Sequence, residues 1–126
     1  MKELEKHLHK SKEKLETARI LLRKRRITDS ISESYYSIYH ATMALLKLRN
    51  IHPRTHSGLI SEFGLNFVKD GTIEEDYARY LVKAETKRVM ADYDVDYMAT
   101  KEEAEEIFHD AEKFLERIKK AIEELK

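Results

Sequence analysis

Apolar residues recur along this chain at steps of three and four. Leu4, Leu8, Ser11, Leu15, Ala18 and Leu22 form one such row, which predicts a helix over about residues 2–25 with a single inward seam and charged flanks. The row closes on the basic run RKRR, residues 23–26. Thr28 then reads as an N-cap with Asp29 in the first turn, where the helix dipole favours negative charge. In the second long helix Ile31, Tyr35, Ile38, Thr42 and Leu45 share a stripe, while Tyr36, His40, Met43 and Ala44 lie on a different side. Between Ser30 and Leu48 only Glu33 and Lys47 carry full charge, too few for a surface helix. This helix is expected at the centre of the fold or against a second subunit.

The strong breakers, one proline and three glycines, all fall within residues 53–71. Pro53 suits the first position of a short helix, and Gly64 and Gly71 mark its end and the following turn. A third long helix is expected from Thr72, with Glu74, Glu75 and Asp76 near its positive end. On one face it carries Tyr77, Leu81, Ala84, Arg88 and Ala91, so Arg88 stands in an apolar row. The last helix opens near Thr100, where Thr100 and Glu103 make a capping box, and runs through Ala104, Ile107, Ala111, Phe114, Ile118, Ala121 and Leu125. The pattern predicts an all-α, up-and-down four-helix bundle with an extra short helix, one domain over residues 1–126.

Composition narrows the class. There is no cysteine, hence no disulfide, which fits a reducing cytoplasm. The opening MKELEKHLHK has no apolar core of a secretory signal, and no run approaches the roughly 20 apolar residues of a membrane span. Charged residues make up 38% of the chain, lysine and glutamate dominate, and glutamine is absent, a bias of proteins from hot environments. Net charge is zero, yet residues 1–56 hold 13 Lys and Arg against 6 Asp and Glu, and residues 57–126 hold 11 against 18. A basic half that meets phosphates and an acidic half that meets a basic partner are both open, as is internal neutralisation.

Several clusters carry candidate chemistry. Asp92, Asp94, Asp96 and Glu103 occupy positions 1, 3, 5 and 12 of a calcium-loop pattern, but the sixth position, where that loop needs glycine, holds Tyr97. His7 and His9 point to different sides of a helix, and Pro53 separates His52 from His56, so no zinc set emerges and no metal is expected. His109 sits among charges and reads as a surface residue. RKRR can contact a phosphate backbone, or simply complement the carbonyls at a helix end, and no aromatic residues interleave with it. His40, four residues after Tyr36, is a core histidine or a general base. Arg88 is the sharper case, because a guanidinium among apolar neighbours must find an anion, and Asp92 is the acid one turn on.

With SYYSIYHA on the second helix, HSGLISEFG in the middle and KRVMADYD after the third, the chain resembles HEPN domains, in particular the stand-alone HEPN-type group. The resemblance covers essentially the whole chain. It implies a helical bundle, often a homodimer, frequently paired with a minimal nucleotidyltransferase in a toxin–antitoxin-like module. Many HEPN members are metal-independent RNases with an arginine followed, after four to six residues, by a histidine. Arg88 matches that arginine, but Tyr93, Asp94 and Val95 stand where the histidine would be. A tyrosine, with a pKa of about 10, is a poor base near neutrality, whereas an arginine alone still holds phosphate.

The resemblance and Arg88's placement together imply a cytoplasmic nucleotide- or RNA-binding module. Arg88, Asp92 and Tyr93 form its polar cluster, Tyr36 lies beside them, and a nucleotidyltransferase-type partner docks on the dimer. Asp94 and Asp96 belong to the turn. The alternatives are an endoribonuclease in which His40 or Tyr93 assists Arg88, and a purely structural helical partner. No cofactor is implied.

Overall fold

Helix α2, Ile27–Leu48, is the axis of the fold in the computed structural model, which describes residues 2–126. Around it stand α1 (Lys2–Arg23), α3 (His56–Phe63), α4 (Glu75–Tyr93) and α5 (Lys101–Leu125), and each of these touches α2. The protein is thus an all-α helical bundle, with no strand among the described residues. The scarcity of charge along α2 has the expected meaning: Ile31, Tyr35, Ile38, Ala41, Leu45 and Leu46 are fully buried. They meet the row of α5, where Ala104, Ile107, Ala111, Phe114, Ile118 and Ala121 all turn inward. Leu125, assigned above to that row, is exposed near the helix end.

Small residues set the approach of α1 to α2. The Ser11 hydroxyl donates to the Ser37 carbonyl at 2.7 Å, and the Ser37 hydroxyl donates back to the Ser11 carbonyl at 2.9 Å. Two turns away Ser30 Oγ donates to the Ala18 carbonyl at 2.8 Å. These hydroxyls satisfy each other's helix at close range, so the seam stays tight where serine and alanine interrupt the leucines of α1.

Four boundaries differ from the sequence expectation, each for a local reason. Thr28 lies inside α2; the N-cap is Arg26, whose side chain makes no capping bond. Arg25 turns the chain at φ +60°, so that Arg25 N–H reaches the Leu22 carbonyl at 3.1 Å and Arg26 N–H reaches the Leu21 carbonyl at 2.8 Å. This Schellman closure of α1 launches α2 one residue later and leaves no room for a separate cap. Pro53 does not open the short helix. Thr55 caps it by accepting from Gly58 N–H at 2.9 Å, and a Cβ at Gly58 would press on that same hydroxyl. Gly64 does not end it either, because its backbone stays right-handed and the chain continues as a π-helical turn over Gly64–Val68.

The third long helix starts at Glu75 rather than Thr72. Asp70 Oδ1 accepts from Thr72 N–H at 3.0 Å, and Gly71, at φ +83°, turns the chain before Ile73 buries itself. The capping box of α5 is present as expected, with Thr100 accepting from Glu103 N–H at 3.1 Å and Glu103 accepting from Thr100 N–H at 3.2 Å.

Candidate functional site

On α4, residues three and four apart share a face, so Glu85, Arg88 and Asp92 line up along the apolar row that includes Leu81 and Ala84. That face packs on α2. The Arg88 side chain is only 6% exposed. Its Nη2 donates to Glu85 Oε1 at 2.7 Å, and its Nη1 lies 3.5 Å from Asp92 Oδ2. The guanidinium carbon sits 5.1 Å from the Tyr35 ring centre and 5.8 Å from that of Tyr36, so two aromatic faces wall the cation. The third guanidinium donor, Nε, is buried and has no hydrogen-bond partner.

The surrounding groups come from three helices. Asp92 Oδ1 accepts from Ser32 Oγ at 2.6 Å, which ties α4 to the start of α2. Tyr35, fully buried, places its hydroxyl 2.5 Å from Nδ1 of His56, the first residue of α3. The same Nδ1 is 3.6 Å from Glu85 Oε2, a buried oxygen that also lacks a hydrogen bond. Burial, then the neighbouring Glu85 carboxylate, push the Tyr35 phenol far above its ordinary range, so it stays protonated. Tyr36 is raised as well, chiefly by burial, against the opposing charge of Arg88. Burial works to lower the Arg88 pKa, but the hydrogen bond and charge of Glu85 outweigh it and the net shift is upward.

This arrangement is a permanent cation with two carboxylates, one bonded closely and one loosely. Glu85 holds Arg88 in position. Asp92, at the longer distance and with a side chain 30% exposed, is the one an incoming anion can displace.

The structure therefore brings together Arg88, Asp92 and Tyr36 of the residues singled out from sequence. It does not bring the other two into contact with them. Tyr93 is 76% exposed beyond the cluster. His40 faces α1, with its Nδ1 3.0 Å from Nδ1 of His7 and the two rings stacked at 5.2 Å. Burial, followed by the charges of His7, Lys10 and Lys14, pushes His40 down to about 4. The calcium-pattern acids are dispersed: Asp92 serves Arg88 and Ser32, Asp94 accepts from Asp96 N–H at 3.0 Å, and Glu103 is bound by Lys87 and Tyr97. No group of three metal-ligating side chains converges among the described residues. Of the two histidines flanking Pro53, His52 bonds Lys47 and Asn50 while His56 joins the Arg88 cluster.

Sequence reasoning does not place Glu85, Tyr35, His56 or Ser32 at the site. Glu85 was within reach, three residues before Arg88 on the same face. Tyr35 carries only the signature of a core residue, and nothing in the spacing of His56 or Ser32 points to α4.

The helical bundle with a buried arginine on its third long helix defines a class. The HEPN domain model matches residues 4–122, and the chain belongs to that family. A protein of Methanocaldococcus jannaschii named "Putative toxin" is 44% identical over 115 residues, covering 91% of this chain and 85% of the relative. A second M. jannaschii protein with the same designation is 34% identical over 119 residues, 94% of this chain and 81% of the relative. A "UPF0332 protein" of Pyrococcus horikoshii is 52% identical over 79 residues, 63% of this chain and 56% of its own length.

Proposed function

We propose that this HEPN protein is a toxin-like binding module that takes a phosphate of a nucleotide or RNA at Arg88, with Tyr36 as the adjoining aromatic wall. The observation that carries this is the buried guanidinium with one donor left unpaired. Burying such a group is costly, and a cluster serving stability alone gains most by satisfying every donor. Asp92 yields its place to one phosphate oxygen, and the guanidinium so freed turns to bring the buried Nε onto a second oxygen, the acceptor it lacks. The names of the M. jannaschii relatives support a toxin-like role. A cytoplasmic setting, a homodimer and a nucleotidyltransferase-type partner belong to the same reading, on the strength of the family resemblance.

The test is thermal stability with and without nucleotides and short RNAs. Ligand at 100 times its Kd stabilises the folded state by about 2.7 kcal/mol. Arg88→Ala abolishes the gain from mononucleotides and lowers that from RNA, while Arg88→Lys, which keeps charge and loses the fork, retains part of it. A wild-type protein whose midpoint no nucleotide or RNA moves would end the proposal. Sedimentation at micromolar concentration tests the dimer separately.

His56 favours a second reading, an endoribonuclease. Its Nδ1 is engaged by Tyr35, and its Nε2 has no partner among the described residues. In that reading Nδ1–H donates to the Tyr35 oxygen and leaves Nε2 free to take the proton of a 2′-hydroxyl; that oxygen bonds the adjacent phosphorus, Arg88 stabilises the added charge, and the bond to the 5′-oxygen breaks as this oxygen takes a proton from water, leaving a 2′,3′-cyclic phosphate. RNA cleavage in chelator that His56→Ala removes while binding persists is the expected result. Intact RNA after incubation with wild-type protein refutes it.

A further inference from the structure

The run Arg23–Lys24–Arg25–Arg26 has a second partner surface besides the end of its own helix. Cations at a helix C-terminus ordinarily complement free carbonyls. Here the backbone already closes α1: Lys24 N–H bonds the Ile20 carbonyl at 3.1 Å, and Arg25 and Arg26 take those of Leu22 and Leu21. No side chain of the run bonds a helix-end carbonyl among the described residues, and Arg23, Lys24 and Arg25 make no ion pair there; only Arg26 is paired, with Asp29 at 2.6 Å. Three adjacent exposed cations stay uncommitted in a chain with many surface ion pairs.

Arg23 and Arg25, with Lys24 between them in the chain, line the rim of a groove of about 500 Å³ between α1 and α5, to which Arg19 and Lys101 add positive charge. Its two acids are already engaged. Glu112 accepts from Arg19 at 3.2 Å and lies 2.9 Å from His109 Nδ1, while Glu105 is 4.0 Å from Lys101. The floor is Phe108, 5% exposed, with the Arg19 guanidinium 5.4 Å from its ring centre. The groove carries four cations against two acids and no large exposed apolar anchor, which suits a polyanion and not a protein face. Arg25, locked at φ +60° by the closure of α1, holds the rim in one shape.

We infer that the groove between α1 and α5 binds the phosphodiester backbone of a nucleic-acid strand, independently of base identity. It lies on a different seam from the Arg88 cluster, which is built from α2, α3 and α4, so neither site's failure decides the other.

The test measures binding of a labelled single-stranded RNA of mixed sequence, with 2′-O-methyl sugars so that it survives, across a salt series. The variant carries Arg23→Ala, Lys24→Ala, Arg25→Gly and Lys101→Ala; glycine suits the left-handed backbone at position 25, so folding is preserved and circular dichroism checks it. Each lost phosphate contact removes about 0.7 from the slope of log K against log salt on a single strand, so the slope falls by roughly 2 to 3 and binding at moderate salt drops at least tenfold. A control lacking four other exposed cations, Lys6→Ala, Lys12→Ala, Lys119→Ala and Lys120→Ala, keeps most of its slope, and Arg88→Ala keeps the portion due to the groove. An unchanged slope in the groove variant overturns the inference. Equal loss in the control does so too, because net charge alone would then explain the binding, and so does equal competition by polyglutamate, which would make the groove a site for acidic polypeptide.

Discussion

Helix α2 carries two polar seams that differ in one respect. Toward α1, Ser11, Ser30 and Ser37 spend their hydroxyls on carbonyls of the facing helix. Toward α4, Tyr35 and Tyr36 border a cluster in which a guanidinium nitrogen and a carboxylate oxygen remain buried and unpaired. In the first, the serine hydroxyls are satisfied by the chain itself and hold helices together. In the second, the chain stops short of satisfaction, and the missing acceptor beside a buried cation is what the proposed phosphate ligand would supply. Satisfaction is no uniform rule, since the buried Ser34 hydroxyl, Glu33 Oε2 and Arg117 Nη1 also lack a hydrogen bond; but a neutral hydroxyl is cheap to strand, Glu33 Oε2 has Lys14 Nζ at 3.3 Å across the α1 seam, and the Arg117 side chain is 17% exposed against 6% for Arg88.

Changes to the α1 seam weigh most on stability. Ser37→Leu forces a branched side chain where two backbones approach and strips the Ser11 carbonyl of its donor, with an expected loss of about 3 kcal/mol in urea unfolding. A loss under about 1 kcal/mol would mean that the serine bonds are incidental to the packing. Next comes Tyr35→Phe, which keeps the ring beside Arg88 and deletes the hydroxyl at His56, for about 1 kcal/mol by the same measurement. Any cleavage activity falls further than stability does, since the deletion frees the His56 ring to turn.

Asp92→Asn keeps a hydrogen-bonding group for Ser32 while freeing Arg88 of one opposing charge. Nucleotide or RNA binding is expected to tighten by roughly fivefold, about 1 kcal/mol, with stability little altered. Weaker binding in a calorimetric titration would show that Asp92 helps the ligand instead of competing with it.

The smallest effect is one of pH, on the first seam. His40 and His7 are both held below the ordinary histidine value of 6.5, first by burial; His7, Lys10 and Lys14 add to it at His40, and Lys47 at His7, where Glu3 opposes it. The unfolded chain therefore takes up these protons first. The contribution of the pair is whole above about pH 6.5 and is lost as pH falls toward about 4. Thermal midpoints of His40→Leu measured over that interval fall less steeply than those of the wild type. Parallel curves would contradict this, since the contribution of Glu103, which Lys87, then Tyr97 and Thr100, hold down at about 2, is lost only at still lower pH.

Much of this was legible before any coordinates. The four long helices, the central place of α2, the capping box at Thr100 and the burial of Arg88 follow from periodicity and charge spacing, because each depends on residues within a turn or two of one another. The helix starts at Thr28, Pro53 and Thr72 were misplaced for a converse reason. Those residues have suitable chemistry, but the chain was already committed by the left-handed turn at Arg25, the cap at Thr55 and the turn at Gly71. Within the site, Arg88 and Asp92 are neighbours on one helix and could be read together. His56 and Tyr35 come from α3 and α2, and only the packing of α3 against the bundle joins them to α4.

The most direct test of the account watches the unpaired donor itself. In nitrogen-15 spectra of the arginine side chains, with Arg88 assigned through Arg88→Lys, the account predicts that its Nε–H signal moves downfield on titration with RNA or nucleotide. Saturation should follow the binding curve, as expected of a donor gaining a phosphate acceptor. A signal that stays in place while the ligand saturates elsewhere on the protein contradicts it.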